Sequence, residues 1–417
     1  MPLEIIIIGA GIAGLAAARA LREQHYVTVL EQSRMKSEIG AAIHLGPNAS
    51  KIALQWGLDL AALNSPEVQS YVEKSAKGDT LIAVPSDPRK GFGAPWLLNH
   101  RVDLHNELRR MATTPDLPGK PATIQTAAKV VSVVSTETRI GVVSLPDCEA
   151  GTVTLADGQV LQTDIIVGAD GIHSVLRTEI LGAERIAQPS GHSAYRCLIP
   201  RASVEKIPAM ASLLSMDPPT LTTFVASDRR VVAYPCRGGS LLNIVAIVPD
   251  KMMNEDSVES WNAEGSIDEM VAAFEGFQPE LLDLLRTAPS CGLWQLRDQD
   301  PLKTWTKGRA ILIGDAAHAM LPHQGQGGGQ SVEDAEALQV VLASAGPEDD
   351  LPALLELVQK LRYDRASKIQ GYSREKAMGP RPGSQEMAVN AHQFVGYNFG
   401  YQGAAKWAEA NGIQLKA

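Results

Sequence analysis

The chain opens on a β-branched run, Leu3 to Ile8, interrupted only at Glu4. Such a run predicts a strand buried on both faces, as in a parallel sheet. A glycine-rich turn follows, and Ile12 to Glu23 then reads as a helix with Leu15, Ala18 and Leu21 on one face. Tyr26 to Leu30 is the second strand of this β-α-β unit. Further on, Lys129–Ser135 and Thr152–Leu155 alternate as strands, and Asp157-Gly158 signals a hairpin turn. Asp164–Val167 predicts another buried strand.

Between about 184 and 289 the pattern changes to antiparallel-type strands. They are His192–Pro200, Thr220–Ala226, Arg229–Pro235 and Ser240–Val248, followed by two short helices near 266–275 and 279–286. Arg309–Ile313 returns to a buried strand, and a helix is predicted to begin near Ser331. Leu351, Leu354, Leu355, Val358 and Leu361 recur at helical spacing in a further helix. Phe394, Tyr397, Phe399, Tyr401 and Trp407 crowd the C-terminal tail, which is expected to cover a core edge. The fold class is α/β. A Rossmann-like nucleotide-binding domain, 1–75, 96–183 and 290–345, is interleaved with a mixed β-sheet substrate domain, 76–95 and 184–289. Residues 346–417 form a C-terminal helical extension.

Composition narrows the function. The chain has 417 residues, 45% hydrophobic and 20% charged, which excludes a disordered or collagen-like protein. A net charge of −9 argues against nucleic acid, whose phosphates demand a basic footprint. Cys148, Cys197, Cys236 and Cys291 form no C-x-x-C, and read as free thiols of a cytoplasmic protein. No stretch reads as a membrane span or signal segment, and no His/Cys/Asp spacing reads as a metal site.

Gly9-Ala10-Gly11-Ile12-Ala13-Gly14 lies between the first strand and the first helix. Gly9 permits the tight turn, Gly11 lets a pyrophosphate approach the backbone, and Gly14 lets helix and strand pack closely. The helix N-terminus supplies donors for the phosphates. Glu31, closing the second strand, can accept from ribose hydroxyls. This fingerprint does not separate NAD from FAD, but a later segment does. Gly314-Asp315-Ala316-Ala317-His318, Pro322 and the run Gly325-Gln326-Gly327-Gly328-Gly329 lie between a strand and a helix. Asp315 suits a polyol hydroxyl. The glycines admit a planar ring, and the helix N-terminus suits the negative charge of a reduced flavin.

Three separated motifs resemble those of the class A flavoprotein monooxygenases, the group of para-hydroxybenzoate hydroxylase and salicylate hydroxylase. They are the fingerprint with Glu31, the segment Asp164 to Arg177 around Asp170-Gly171, and Gly314-Asp315 through Pro322. With Tyr195-Arg196 and Tyr234-Pro235-Cys236-Arg237-Gly238-Gly239, the resemblance spans about residues 3–345. It implies FAD as cofactor, NAD(P)H as a transient co-substrate, and oxygen delivered through a flavin C4a-hydroperoxide to an aromatic or electron-rich small molecule. It implies that Gly9, Gly11, Gly14 and Glu31 hold the AMP half of FAD and that Arg101 lies near the pyrophosphate and ribityl region. Asp315 binds the ribityl chain, Gly327 and Gly328 line the isoalloxazine, and Asp170 with Arg177 serves FAD and the passing nicotinamide. No second fingerprint follows a strand, so no separate NAD(P)H domain is expected. A flavin dehydrogenase or reductase of the same fold, and a non-catalytic nucleotide-binding regulator, remain the rival readings. The protein is expected to be a monomer or homodimer.

On the substrate side, strand alternation puts Arg230, Val232 and Tyr234 on one face of Arg229–Pro235. Arg230 and Tyr234 there suit a carboxylate and a phenol, or else form an exposed basic face. The resemblance favours Tyr234, since a tyrosine at the family's matching Tyr-Pro position often lines the pocket. His323, just before Gly325, is a candidate base near the ring's reactive edge, or a solvated loop residue. For His44, contact with FAD, a covalent tether and a structural role are all open.

Overall fold

The computed structural model describes residues 1–35, 41–131, 147–182, 187–250, 264–378 and 391–415. The β-α-β start is Glu4–Ile8, helix Ile12–Leu21 and Tyr26–Glu31. Ile5 and Ile7 enter a core shared with Leu15, Leu338 and Leu355, whereas Ile6 and Ile8 enter a second core with Leu176 and Leu312. That two-sided burial explains why the run is unbroken rather than alternating. The helix stops two residues short of the expected Glu23, with Arg22 as its C-cap. The Arg22 guanidinium turns inward instead, donating to the carbonyls of Met111 and Ala112 at 3.0 and 3.1 Å.

Six strands form the first sheet. Parallel strands Ala310–Leu312, Ile165–Gly168, Glu4–Ile8, Tyr26–Glu31 and Thr123–Thr126 lie side by side in that order, with Thr306–Lys307 antiparallel at one edge. The hairpin at Asp157-Gly158 joins Thr152–Thr154 to Val160–Gln162, with Gly158 at φ +89°. Of the expected strand Lys129–Ser135, Val130 makes one bridge to Leu155, and the residues from 132 on lie outside the described ones.

The second sheet has eight strands, ordered Glu264–Gly265, Cys291–Asp298, Gln188–Pro200, Leu241–Pro249, Arg230–Cys236, Thr220–Val225, Ser70–Ser75 and Thr80–Pro85. It takes in Ser70–Ser75 and Cys291–Asp298, which lie outside the expected 76–95 and 184–289. One face, carrying Tyr195, Val231, Ala233 and Ala246, packs against Met270, Phe274 and Leu281 of the two short helices. The other face turns toward the nucleotide-binding part. Leu221, Val232 and Tyr234 meet Ala42, Trp96 and Leu98, and Ala194, Ile247 and Leu296 meet Leu321. The alternation read from Arg229–Pro235 therefore separates a helix-covered face from a cleft-facing one.

The helix expected near Ser331 begins at Gly327, so the glycine run forms its first turn. The Leu351–Met378 helix packs its leucine stripe into the first core. Tyr401, Ala404 and Ala408 of the tail cover an edge of that core, as expected of the aromatic cluster.

Candidate active site

The first strand feeds directly into the glycine turn. Gly9 sits at φ +99°, and a Cβ there would stand 2.5 Å from the Ala169 carbonyl oxygen. A Cβ on Gly14 would stand 1.9 Å from the Gly9 carbonyl oxygen, so helix and turn are in backbone contact. A Cβ on Gly11 would meet nothing within 4 Å. The space beside Gly11 is open, and helix N–H groups border it. Glu31 Oε2 accepts the Ala10 N–H at 2.9 Å, and Oε1 accepts the Ser33 N–H at 2.7 Å. His105 Nε2 donates to the Ala10 carbonyl at 2.7 Å, anchoring the turn from the Arg101–Thr113 helix. Arg101 is the first residue of that helix.

Asp170 and Asp315 end neighbouring parallel strands. One Asp170 oxygen accepts the Val175 and Leu176 N–H groups at 2.8 and 3.3 Å. The other, Oδ1, is buried with no hydrogen-bond partner among the described residues. Arg177 is spent on local structure: it donates to Gln299 Oε1 at 3.1 Å, to the Ala316 carbonyl at 3.2 Å, and to the Ile172 carbonyl. Asp315 opens to the cleft. Desolvation raises its pKa, against the pull of His318, Arg101 and Arg177. Gly327 lies beside Asp315, with 3.9 Å from its notional Cβ to Asp315 Oδ1.

The cleft-facing sheet holds Tyr234, whose ring meets His44 edge-on at 6.4 Å. Trp96 Nε1 donates to His44 Nδ1 at 3.0 Å. An indole nitrogen only donates, so Nδ1 is the acceptor and the neutral imidazole carries its proton on Nε2. Nε2 abuts Gly325, where a Cβ would come within 1.7 Å of it. His44 therefore joins the tyrosine floor to the glycine loop. Burial raises the Tyr234 hydroxyl pKa well above its ordinary value, so the phenol stays protonated.

His323 is buried in the Pro322–Gln324 turn, and Leu321 beside that turn packs on the same sheet face. Arg230 lies on the same strand face as Tyr234, four residues away or about 13 Å along an extended strand. Its charge faces Glu73 and Tyr71, and Tyr71 packs on the same cluster as Tyr234. Arg196, read only as part of the Tyr195-Arg196 motif and given no role, shares this side of the sheet, and Asn243 and Trp96, which the pattern passed over, share or border it. Alternation along His192–Pro200 places Arg196 opposite Val245, on the Tyr234 side, and that signal was available.

A buried ionic cluster holds these parts in place. Arg362 donates to Glu333 at 2.6 Å, Asp334 at 2.9 Å and Gln330 at 2.6 Å. Arg365 grips Glu333 with Nε and Nη2 at 2.7 and 2.8 Å. Asp334 Oδ2 accepts the Gly314 N–H at 2.9 Å and lies 2.6 Å from His318 Nε2. The surrounding cations hold the Asp334 pKa down to about 2 against the opposing cost of burial. Asn48 Nδ2 bonds Glu333 at 2.7 Å, which ties the His44 segment to the cluster.

An open glycine turn, an acid closing the second strand and a second acid beside a glycine-started helix are the features of a dinucleotide-binding flavoprotein. The FAD-binding-domain family matches residues 2–216 and 288–371, and the chain belongs to it. The chain is 38% identical over 376 residues to the FAD-dependent monooxygenase cfoG of Aspergillus candidus, covering 88% of this chain and 84% of that one. It is 32% identical over 391 residues to hispidin-3-hydroxylase of Neonothopanus nambi, covering 91% and 89%. A salicylate hydroxylase substrate complex matches with TM-score 0.77 and 28% identity, over 100% of this chain and 99% of that one. The protein is an FAD-dependent monooxygenase. This sets aside the non-catalytic regulator and the dehydrogenase.

The residues present fit the cofactor. The open space at Gly11, the orphaned Asp170 Oδ1 and the cleft-facing Asp315 beside Gly327 are the cradle that a dinucleotide with a ribityl chain requires.

Proposed function

We propose that this enzyme uses NAD(P)H and O2 to hydroxylate a small aromatic or enolic molecule lying on the Tyr234 face of the eight-stranded sheet. The balance is substrate C–H, O2, NAD(P)H and a proton giving substrate C–OH, water and NAD(P)+. Bound in the cradle, FAD supplies the redox chemistry with oxygen. Gly9, Gly11, Gly14, Glu31 and Arg101 hold its nucleotide side in this reading, and Asp170, Asp315, Gly327 and Gly328 its ribityl and ring side.

The observation that carries the reading is the continuity from Tyr234 through His44 to Gly325, which sets a buried phenol beside the glycine loop. Tyr234 orients the substrate through a hydroxyl that burial keeps protonated. His44, its Nδ1 occupied by Trp96 and its Nε2 side set against Gly325, positions the glycine loop over the tyrosine rather than acting as a base. The apolar surroundings, Leu221, Val232, Trp96 and Leu98, exclude water. His323 is retained as a second candidate for moving the substrate proton. Hispidin-3-hydroxylase and salicylate hydroxylase, named for related hydroxylations, support the substrate class.

The test is a panel of phenols and enols assayed with FAD-loaded protein, NAD(P)H and isotopically labelled O2. The expected product carries one labelled oxygen atom. NAD(P)H oxidised across the panel with no labelled product would overturn the reading.

A further inference from the structure

The C-terminal tail reaches the active site at two neighbouring residues. The helix Ala391–Phe399 ends on Asn398 and Phe399, both buried. The Phe399 ring meets Trp96 edge-on at 5.0 Å and Phe92 at 5.5 Å. It also lies against the backbone that follows the His44 strand: a Cβ on Gly46 would stand 2.6 Å from Phe399 Cε1. Trp96 thus contacts two rings, Phe399 and His44, the latter at 5.5 Å. Its indole N–H, spent on His44 Nδ1, keeps that direction only while the indole plane is fixed. The Trp96 carbonyl is anchored by the Val68 N–H at 2.8 Å, but the ring is set by what it packs on, and Phe399 supplies one wall of that packing.

Asn398 reaches the other neighbour of His44, the glycine loop. Its Nδ2 donates to Gln324 Oε1 at 3.3 Å, and its backbone carbonyl is held by Arg365. That amide bond is long, and Asn398 Oδ1 and Gln324 Nε2 are both buried with no hydrogen-bond partner among the described residues. For stability alone an apolar contact would cost less. The tail therefore touches both groups that flank the His44 ring, the indole at Nδ1 and the loop at Nε2, and these set Gly325 beside Tyr234.

We infer that Asn398 and Phe399 are positioning residues for oxygen transfer: through Gln324 and Trp96 they hold the glycine loop and His44 against Tyr234, so that the substrate is aligned. The tail is then part of the active site as well as a cover for the core edge. This rests on the reading that the substrate lies on the Tyr234 face. Neither side chain takes part in the chemistry. Where alignment is lost, NAD(P)H, O2 and a proton give NAD(P)+ and hydrogen peroxide instead of product, since a misplacement of about 1 Å costs up to about a hundredfold in rate.

The test reads Trp96 directly. The chain has six tryptophans, so FAD-loaded protein with isotope-labelled indole nitrogens gives six indole N–H signals, and Trp96→Phe identifies the one that belongs to Trp96. In Phe399→Ala the flavin content should be unchanged, while that N–H should exchange with solvent about tenfold faster. With a phenol from the panel that yields labelled product, product per NAD(P)H should fall about fivefold or more, the balance appearing as peroxide, with the KM for NAD(P)H unchanged. Asn398→Ala should lower the coupling in the same direction and leave Trp96 exchange as it was. Phe399→Leu, which keeps an apolar wall, should recover part of both readouts and provides the test if the alanine variant fails to fold. Trp407→Ala controls for a structural role: it removes packing farther along the tail, and should lower the thermal midpoint with coupling and Trp96 exchange as in the unsubstituted enzyme. Unchanged exchange in Phe399→Ala, full coupling in Phe399→Ala or Asn398→Ala, loss of flavin from either, or equal uncoupling in Trp407→Ala overturns the inference. An enzyme that hydroxylates nothing in the panel loses its proposed function and this inference with it. One that hydroxylates, with Trp96 exchange unaltered by Phe399→Ala, loses only this inference.

Discussion

At the residue scale, the two glycines of the first turn make opposite predictions from one backbone. Gly11 faces open space, so Gly11→Val should fold normally and lose FAD at least tenfold, read as flavin absorbance per protein after desalting. Gly14 touches the Gly9 carbonyl, so Gly14→Ala should lower the thermal midpoint itself, whether or not flavin is present. Tyr234 offers the third residue test. Its buried hydroxyl can be removed without disturbing the His44 ring contact, so Tyr234→Phe should keep FAD and lose product per NAD(P)H consumed, by about tenfold. The remaining reducing equivalents should appear as hydrogen peroxide. Coupling equal to that of the unsubstituted enzyme would deny the hydroxyl an orienting role.

At the scale of elements, the tail is held to the glycine-started helix by ionisable groups. Arg365 donates to the carbonyls of Tyr397 and Asn398, both at 2.9 Å, while gripping Glu333. Arg365→Leu leaves Glu333 with Arg362 and Asn48 but removes its second cation and the donors to the tail carbonyls, so it should lower stability by about 1–3 kcal/mol in denaturant unfolding. Glu336 accepts the Ala404 N–H at 2.9 Å and the Tyr401 hydroxyl at 3.0 Å, and burial raises its pKa to about 7. A carboxyl with a raised pKa binds its proton more tightly in the folded state than in the unfolded one. Its stabilising contribution is therefore present at low pH and is lost as pH rises from the ordinary 4.5 toward about 7. The slope is at most about 1.4 kcal/mol per pH unit. Glu336→Gln should flatten that part of the stability profile; an identical profile in the two proteins would remove Glu336 as its source.

At the scale of the molecule, a single glycine fingerprint serves the first sheet, and the second sheet faces it with an apolar floor. Among the described residues no second dinucleotide turn exists for the nicotinamide. The expectation is that NAD(P)H visits the flavin only transiently and that its reaction is coupled to substrate. Rapid-mixing measurements should show flavin reduction accelerated at least tenfold by a productive substrate. Equal reduction rates with and without it would contradict this coupling.

The local rules of the chain reached far. The apolar run at Leu3–Ile8, the glycine fingerprint, Glu31 and the alternation of Arg229–Pro235 each encode their structure within a few residues, because strand burial and tight turns depend on neighbours in sequence. The helix start at Gly327 was missed because glycine propensity argues against a helix, and the buried Glu333–Arg362–Arg365 cluster overrides it. That cluster joins charges that sequence pattern reads as solvated, as does the face Arg230 shares with Glu73. Which charge is paired and which is left over was decided only by the packing of distant segments. Arg362 finds Glu333 and Asp334 on a helix packed against its own, a pairing that no spacing in the sequence signals. Charge compensation is a property of three-dimensional neighbours, and a linear pattern does not contain it.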